Sequence, residues 1–225
     1  VSASHASDAF EFDLYETSNL NLALDPTYGD ADLELYFDSN NNGTFDSTDQ
    51  LVASSYRGGS ADDSINLADQ GAGTYFAQVS YFSASSGSVQ YDLDLSATPA
   101  YASTTPSNVL PTEVDLGNLD YDRIQYGWVG DADTTDTYYL ELGLYEGVEI
   151  TLSGLSADAD IRLIEDSNNN GIVDAGEEVT RSQYAGITSE SITEELSGSY
   201  FLQVYQFSGE TNYTLNFDHY NTSYA

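Results

Sequence analysis

The sequence twice repeats one short loop of oxygen-bearing residues. Asp38, Asn40 and Asn42 stand at alternate positions, followed by Gly43, Asp46 and Asp49. The pattern returns 128 residues later (166 − 38) as Asp166, Asn168, Asn170, Gly171, Asp174 and Glu177. Counted from the first aspartate, side-chain oxygens fall at positions 1, 3, 5, 9 and 12, with glycine at position 6. That spacing suits Ca2+, which takes six to eight hard oxygens at about 2.3–2.6 Å. Alternate residues of a tight loop point inward, and the glycine permits the sharp turn. The ligand at position 7 is a backbone carbonyl, here that of Thr44 or Ile172. Asp49 is one methylene shorter than Glu177, so the first loop is expected to close less well or to use a water. Loops rich in Asp, Asn and Gly are also ordinary turns. Recurrence with a carboxylate at position 12 in both copies favours the metal reading.

A second set of carboxylates precedes each loop. Asp30 and Asp32 lie on one face of a strand pattern, as do Asp158 and Asp160. Such pairs repel unless water or a cation screens them. They read either as further cation ligands or as charge on an exposed strand edge, which discourages edge-to-edge pairing.

The composition removes several other chemistries. The chain has 38 acidic residues against four arginines, no lysine and a net charge of −34. Phosphate neutralisation needs clustered basic residues, so nucleic acid is excluded as a partner. An anionic membrane surface is excluded likewise, and no apolar run is long enough to insert in a membrane. Without cysteine there is neither a disulfide nor a thiolate site. The only histidines, His5 and His219, lie near the two ends, so a Ser-His-Asp constellation is not expected. The N-terminal residues show no signal-peptide pattern, so any such peptide is expected to be already removed. The single tryptophan, Trp128, alternates with Ile124 and Tyr126 and is expected in a core.

The elements that must hold these residues are strands. Apolar residues recur at every second position in Phe10–Leu14, Leu20–Leu24 and Tyr91–Leu95, and again in Tyr138–Leu142, Val148–Leu152 and Tyr213–Phe217. Ser189–Leu196 is ambiguous. Turn residues separate the runs at short, regular intervals, as in an antiparallel sandwich. The repeat divides the chain into residues 1–97 and 113–225. Residues 98–112, rich in Pro, Ser and Thr, are expected to be an extended linker. The ungapped repeat runs from Asp8 over Asp136 to Asp62 over Glu190. The second copy opens with a leader, Val114–Val129, that has no counterpart in the first. The expected fold is all-β: two tandem antiparallel β-sandwiches.

Further segments add to the pattern. Leu116-Gly-Asn-Leu119, Val129-Gly-Asp131-Ala-Asp133-Thr-Thr-Asp136, Ala157-Asp158-Ala159-Asp160, Gly198-Ser-Tyr200-Phe201 and Tyr213-x-Leu215 follow in order. In that order they resemble the bacterial pre-peptidase C-terminal (PPC) domain, most completely over residues 113–217. The two loops resemble EF-hand or dockerin calcium loops, set here between strands. The resemblance implies a jelly-roll-like, non-catalytic domain appended to secreted proteases or surface proteins. Some relatives bind calcium and collagenase relatives bind collagen, which makes Asp158 and Asp160 candidate ligands. The leading expectation is an extracellular or surface-exposed, calcium-binding structural or adhesive module that polymerises with copies of itself by strand donation. The alternative is a matrix- or carbohydrate-binding accessory module of a secreted protease.

Overall fold

The structure, a computed structural model, describes residues 1–100 and 106–222. The chain divides into two compact units, Val1–Ala102 and Ser103–Ala225. Every regular element among the described residues is a strand.

The first unit contains β1 (Ser7–Leu14), β2 (Ser18–Pro26), β3 (Asp30–Phe37), β4 (Gln50–Ser55), β5 (Asp63–Gln70), β6 (Gly73–Ser83) and β7 (Tyr91–Pro99). They form two sheets, ordered β1-β6-β3-β4 and β5-β2-β7. The second unit contains β8 (Val114–Asn118), β9 (Arg123–Val129), β10 (Thr135–Leu142), β11 (Glu146–Ser153), β12 (Asp158–Ile164), β13 (Glu178–Ser182), β14 (Glu190–Glu194), β15 (Gly198–Ser208) and β16 (Thr211–Asn221). Its sheets are ordered β13-β12-β15-β10-β8 and β14-β11-β16-β9. The ambiguous segment near Ser189 is strand β14.

Alternation explains the layering. Leu20, Leu22 and Leu24 of β2 are fully buried against Leu33 and Leu35 of β3 and Ala77 and Val79 of β6. Val148, Ile150 and Leu152 of β11 face Ile161, Leu163, Leu202 and Val204 in the second unit. Each unit thus closes two sheets on one core, and each buried Leu, Ile or Val side chain contributes about 1.5–3 kcal/mol.

Three expectations need correction. The sandwich is not purely antiparallel, because β8 runs parallel to β10. Between them the chain crosses to the other sheet as β9 and returns, so both strands run the same way. The stretch 98–112 is structured at both described ends. Thr98 and Pro99 finish β7 beside Asn19 and Ser18. Ser107 and Val109 are buried in the second unit. Arg162 donates to the Ser107 carbonyl at 2.7 Å and to Gln203 at 2.9 Å, while Gln203 donates to the Val109 carbonyl at 3.0 Å. Finally, the repeat slips by one residue after the loops: Ser55 and Asp63 match Ser182 and Glu190, not Ser54 and Asp62.

Candidate functional site

Each acidic loop joins two neighbouring strands of one sheet, β3 to β4 and β12 to β13. The two share one hydrogen-bond scheme. Gly43 N–H donates to Asp38 Oδ2 at 2.8 Å, and Gly171 N–H to Asp166 Oδ2 at 2.9 Å. Asn42 and Asn170 N–H donate to the other oxygen of the same aspartates, at 3.2 Å each. Asp46 N–H donates to Asp49 and Asp174 N–H to Glu177, both at 2.8 Å. Asn41 and Asn169, at φ 53° and 54°, take left-handed backbone with Gly43 and Gly171, at φ 65° and 72°. These turns curl positions 1 to 6 back on the first aspartate, as a short side chain with local hydrogen bonds allows.

The loops differ inside. Asn168 and Asn170 both donate through Nδ2 to Asp174 Oδ2, at 2.8 and 3.0 Å. In the first loop Asn42 donates to Asp46 at 2.9 Å, whereas Asn40 turns to Thr48 at 2.5 Å. Glu177 has both carboxylate oxygens engaged, by Ser167 and Asp174. Its pKa is lowered, mainly by the Asp174 amide. The shorter Asp49 leaves Oδ1 buried without a partner. Asp46 is lowered to about 2, chiefly by the Thr48 hydroxyl and amide. Asp46 and Glu177 therefore stay anionic above the acid range.

Val109 bridges to Ile172 through Leu110 N–H to the Gly171 carbonyl, at 2.8 Å, and Val173 N–H to the Asn108 carbonyl, at 2.9 Å. Neither bond uses the Ile172 carbonyl, the expected ligand at position 7. Along each loop the residue types are carboxylates at positions 1, 9 and 12, amides at 3 and 5 and a carbonyl at 7, and in the second loop the amide nitrogens of Asn168 and Asn170 face Asp174. Among the described residues, no group of three or more Asp, Glu and His side chains is drawn together as a metal cluster.

The strand carboxylates do not join the loops. Asp160 to Ile164 is extended strand spanning about 13 Å, and the loop begins beyond it. One ion cannot touch both. Nor are these carboxylates on exposed edges, because β3 and β12 lie inside their sheets. Asp30 is 7% and Asp160 2% exposed. Each pair meets a third buried carboxylate that sequence reasoning missed. Asp63 accepts from Ser55 and the Arg57 amide; Glu190 accepts from Ser182 and the Tyr184 amide. Burial first, then neighbouring carboxylates, raises Asp32 to about 6 and Asp160 to about 7. Asp63 Oδ2, Asp158 Oδ1 and Asp160 Oδ2 have no hydrogen-bond partner.

Trp128 does not enter the core. Ile124 and Tyr126 are 56% and 76% exposed, with Trp128 partly exposed in the same outward row. The inward row is Arg123, Gln125, Gly127 and Val129. Gly127 belongs there because any Cβ would overlap the Tyr213 hydroxyl and Asp136. Asn216, Thr214 and Asn212 of β16 stand opposite Ile124, Tyr126 and Trp128. The outer face therefore carries an apolar row, Ile124 with two aromatic residues, beside two amides and a hydroxyl.

The histidines form no nucleophilic arrangement. His5 meets Asp8 at 2.8 Å, and His219 lies 3.7 Å from Glu146. Among the described residues no helix is long and apolar enough to cross a membrane.

No family model and no curated protein matches the sequence. Several solved structures match about half of the chain, and others span nearly all of it. One is the pre-peptidase C-terminal domain of collagenase from Bacillus anthracis, with 18% identity and TM-score 0.36, covering 47% of this chain and 92% of that one. Another is PliG of Aeromonas hydrophila, a periplasmic inhibitor of g-type lysozyme, with 17% identity, TM-score 0.35 and 48% and 100% coverage. PliG of Salmonella Typhimurium matches at 17% identity, TM-score 0.30 and 47% and 97% coverage.

Proposed function

We propose that the chain is a non-catalytic accessory module of a secreted or surface protein that holds a neutral extracellular polymer, a polysaccharide by preference, on its second unit. The observation that carries this reading is the outward row Ile124, Tyr126 and Trp128 beside Asn212, Thr214 and Asn216. Aromatic faces take the apolar faces of sugar rings, while amides and hydroxyls meet the ring hydroxyls. A net charge of −34 favours uncharged over polyanionic glycans.

In the same reading the two jelly-roll-like sandwiches are pinned by calcium. Asp38, Asn40, Asn42, Asp46, Asp49 and the Thr44 carbonyl hold one ion. Asp166, Asn168, Asn170, Asp174, Glu177 and the Ile172 carbonyl hold the other. Bound calcium neutralises loop carboxylates that otherwise repel, and couples metal binding to folding. Sites with neutral amides at positions 3 and 5 suit the millimolar calcium outside cells. The sets Asp30, Asp32, Asp63 and Asp158, Asp160, Glu190, each with two buried members, form separate acidic loci.

Affinity electrophoresis through neutral polysaccharides and sedimentation with insoluble collagen test the proposal. Retardation by one polysaccharide that is lost in Tyr126→Ala and Trp128→Ala, with the fold intact, is the expected result. Binding to collagen alone moves the polymer to the protein class. Unchanged binding in both variants removes this face from the account.

A further inference from the structure

Among the described residues the two sheets of the second unit end on four strands, β13 and β8 in one, β14 and β9 in the other. Three of these edges are blunted. β13 carries Glu178 and Arg181, β14 carries Glu190 and Glu194, and both are five residues long. β8 is equally short, and its register with β10 shifts at an irregularity. Charge, shortness and bulges are what keep edge strands from pairing. β9 is different. It runs seven residues, pairs with β16 without a register shift, and bears one charge, Arg123, at its first position.

The free backbone of β9 follows from its neighbour. His219 N–H reaches Asp122 at 3.0 Å and so points to the β9 side of β16; Thr222 N–H reaches the Tyr145 carbonyl at 2.7 Å and so points to the β11 side. These directions alternate along an antiparallel strand. The odd-numbered residues of β16 therefore bond β9, and by register they take the backbone of Arg123, Gln125, Gly127 and Val129. The N–H and C=O groups of Ile124, Tyr126 and Trp128 face the open edge. The same three residues carry the outward apolar side chains.

This edge is complementary to itself. A two-fold axis at Tyr126 sets Tyr126 of two copies together and Ile124 of each against Trp128 of the other. Each such pair exchanges two backbone hydrogen bonds. On the outer face they are aromatic–aromatic and aromatic–β-branched pairs, which stabilise neighbouring strands. At either end Arg123, whose Nε has no hydrogen-bond partner, comes opposite Val129 of the other copy, beside the Gly130–Asp133 turn that carries Asp131 and Asp133.

We infer that the second unit forms a two-fold dimer with a second copy of this chain, β9 pairing antiparallel to β9 and joining two four-stranded sheets into one. The copies meet edge to edge and exchange no strand. The outer apolar row is doubled rather than covered, so the inference is independent of the polymer and calcium readings. Contact through one edge is at the small end of protein interfaces, and a charge of −34 on each copy opposes it until salt screens the repulsion. The dimer is therefore weak and strengthened by salt.

Sedimentation equilibrium of the whole chain, at about 10 μM to 1 mM protein in about 0.05 M and 0.5 M NaCl, tests this. A monomer–dimer equilibrium about tenfold or more tighter in the higher salt is expected. Tyr126→Pro removes an edge N–H that the monomer does not use, and Tyr126→Lys brings two ammonium groups together at the axis; both should give a folded monomer. The chain has no cysteine, so Tyr126→Cys should cross-link as a dimer through a short bis-maleimide, while Thr193→Cys on β14 should not. A monomer at every concentration and salt overturns the proposal. So does a dimer that persists in both Tyr126 variants, or one that cross-links only through Thr193→Cys, since either places the contact elsewhere.

Discussion

Calcium should stabilise each unit through its own loop, and the amount can be worked out. Loops with neutral amides at two ligand positions belong to the class with dissociation constants of about 10⁻⁴–10⁻³ M. At about 10 mM Ca2+, stabilisation by RT ln(1 + [L]/Kd) is about 1.4–2.7 kcal/mol per loop. For a unit of roughly 100 residues this raises the midpoint by about 6–13 °C. Asp166→Ala should abolish the gain in the second unit only. The substitution also removes the acceptor of the Asn170 and Gly171 amides, which costs about 1–2 kcal/mol in chelator. The calcium contribution is therefore the difference between chelator and calcium within each variant. Scanning calorimetry in chelator, Mg2+ and Ca2+ reads it. Equal shifts with Mg2+, or an unchanged calcium gain in Asp166→Ala, would refute the loop assignment.

Other perturbations separate the units. Arg162→Met should cost the second unit about 3–5 kcal/mol, because Gln203 and the Ser107 carbonyl lose a buried charged donor; the first unit, with Glu34 at that position, should not move. Phe217→Ala should cost about 3–5 kcal/mol and Leu95→Ala under about 1 kcal/mol, since only the former is buried; chemical denaturation checks both. In chelator, Asp160 should oppose folding as pH rises. Its folded pKa, about 7, lies above the unfolded value, so its neutral form is favoured at low pH and stability falls between about pH 4 and 7. Asp160→Asn should flatten that fall and raise stability at pH 8 by an amount on the order of 1–3 kcal/mol.

Period-two alternation carried most of the fold. The inward residues of β2, β10, β11 and β16 stand out because apolar and polar positions alternate in their cores, Ala23 and Tyr139 apart. β9 misled because its apolar row, Ile124, Tyr126 and Trp128, faces outward. The Tyr213–Asp136 pair beneath it admits only a glycine, and that steric demand outweighs hydrophobic patterning. Gly127 beside two large residues was the available signal. The turn each loop makes was legible from spacing, since the hydrogen bonds that Asp38 and Asp166 accept from Gly43 and Gly171 are local. Asp63 and Glu190 were not. Their partners lie across a loop and in another strand, and nothing in the local sequence reports that distance. The linker composition near Pro106 similarly hid the dependence of Ser107 on Arg162, about 55 residues away.

The single tryptophan lies in the proposed binding row, so its fluorescence reports on that face directly. Titration of the chain in millimolar Ca2+ with soluble fragments of neutral polysaccharides should give a saturable change in Trp128 emission, abolished by Tyr126→Ala. Unchanged emission alongside binding of the same fragments elsewhere on the chain would contradict the account.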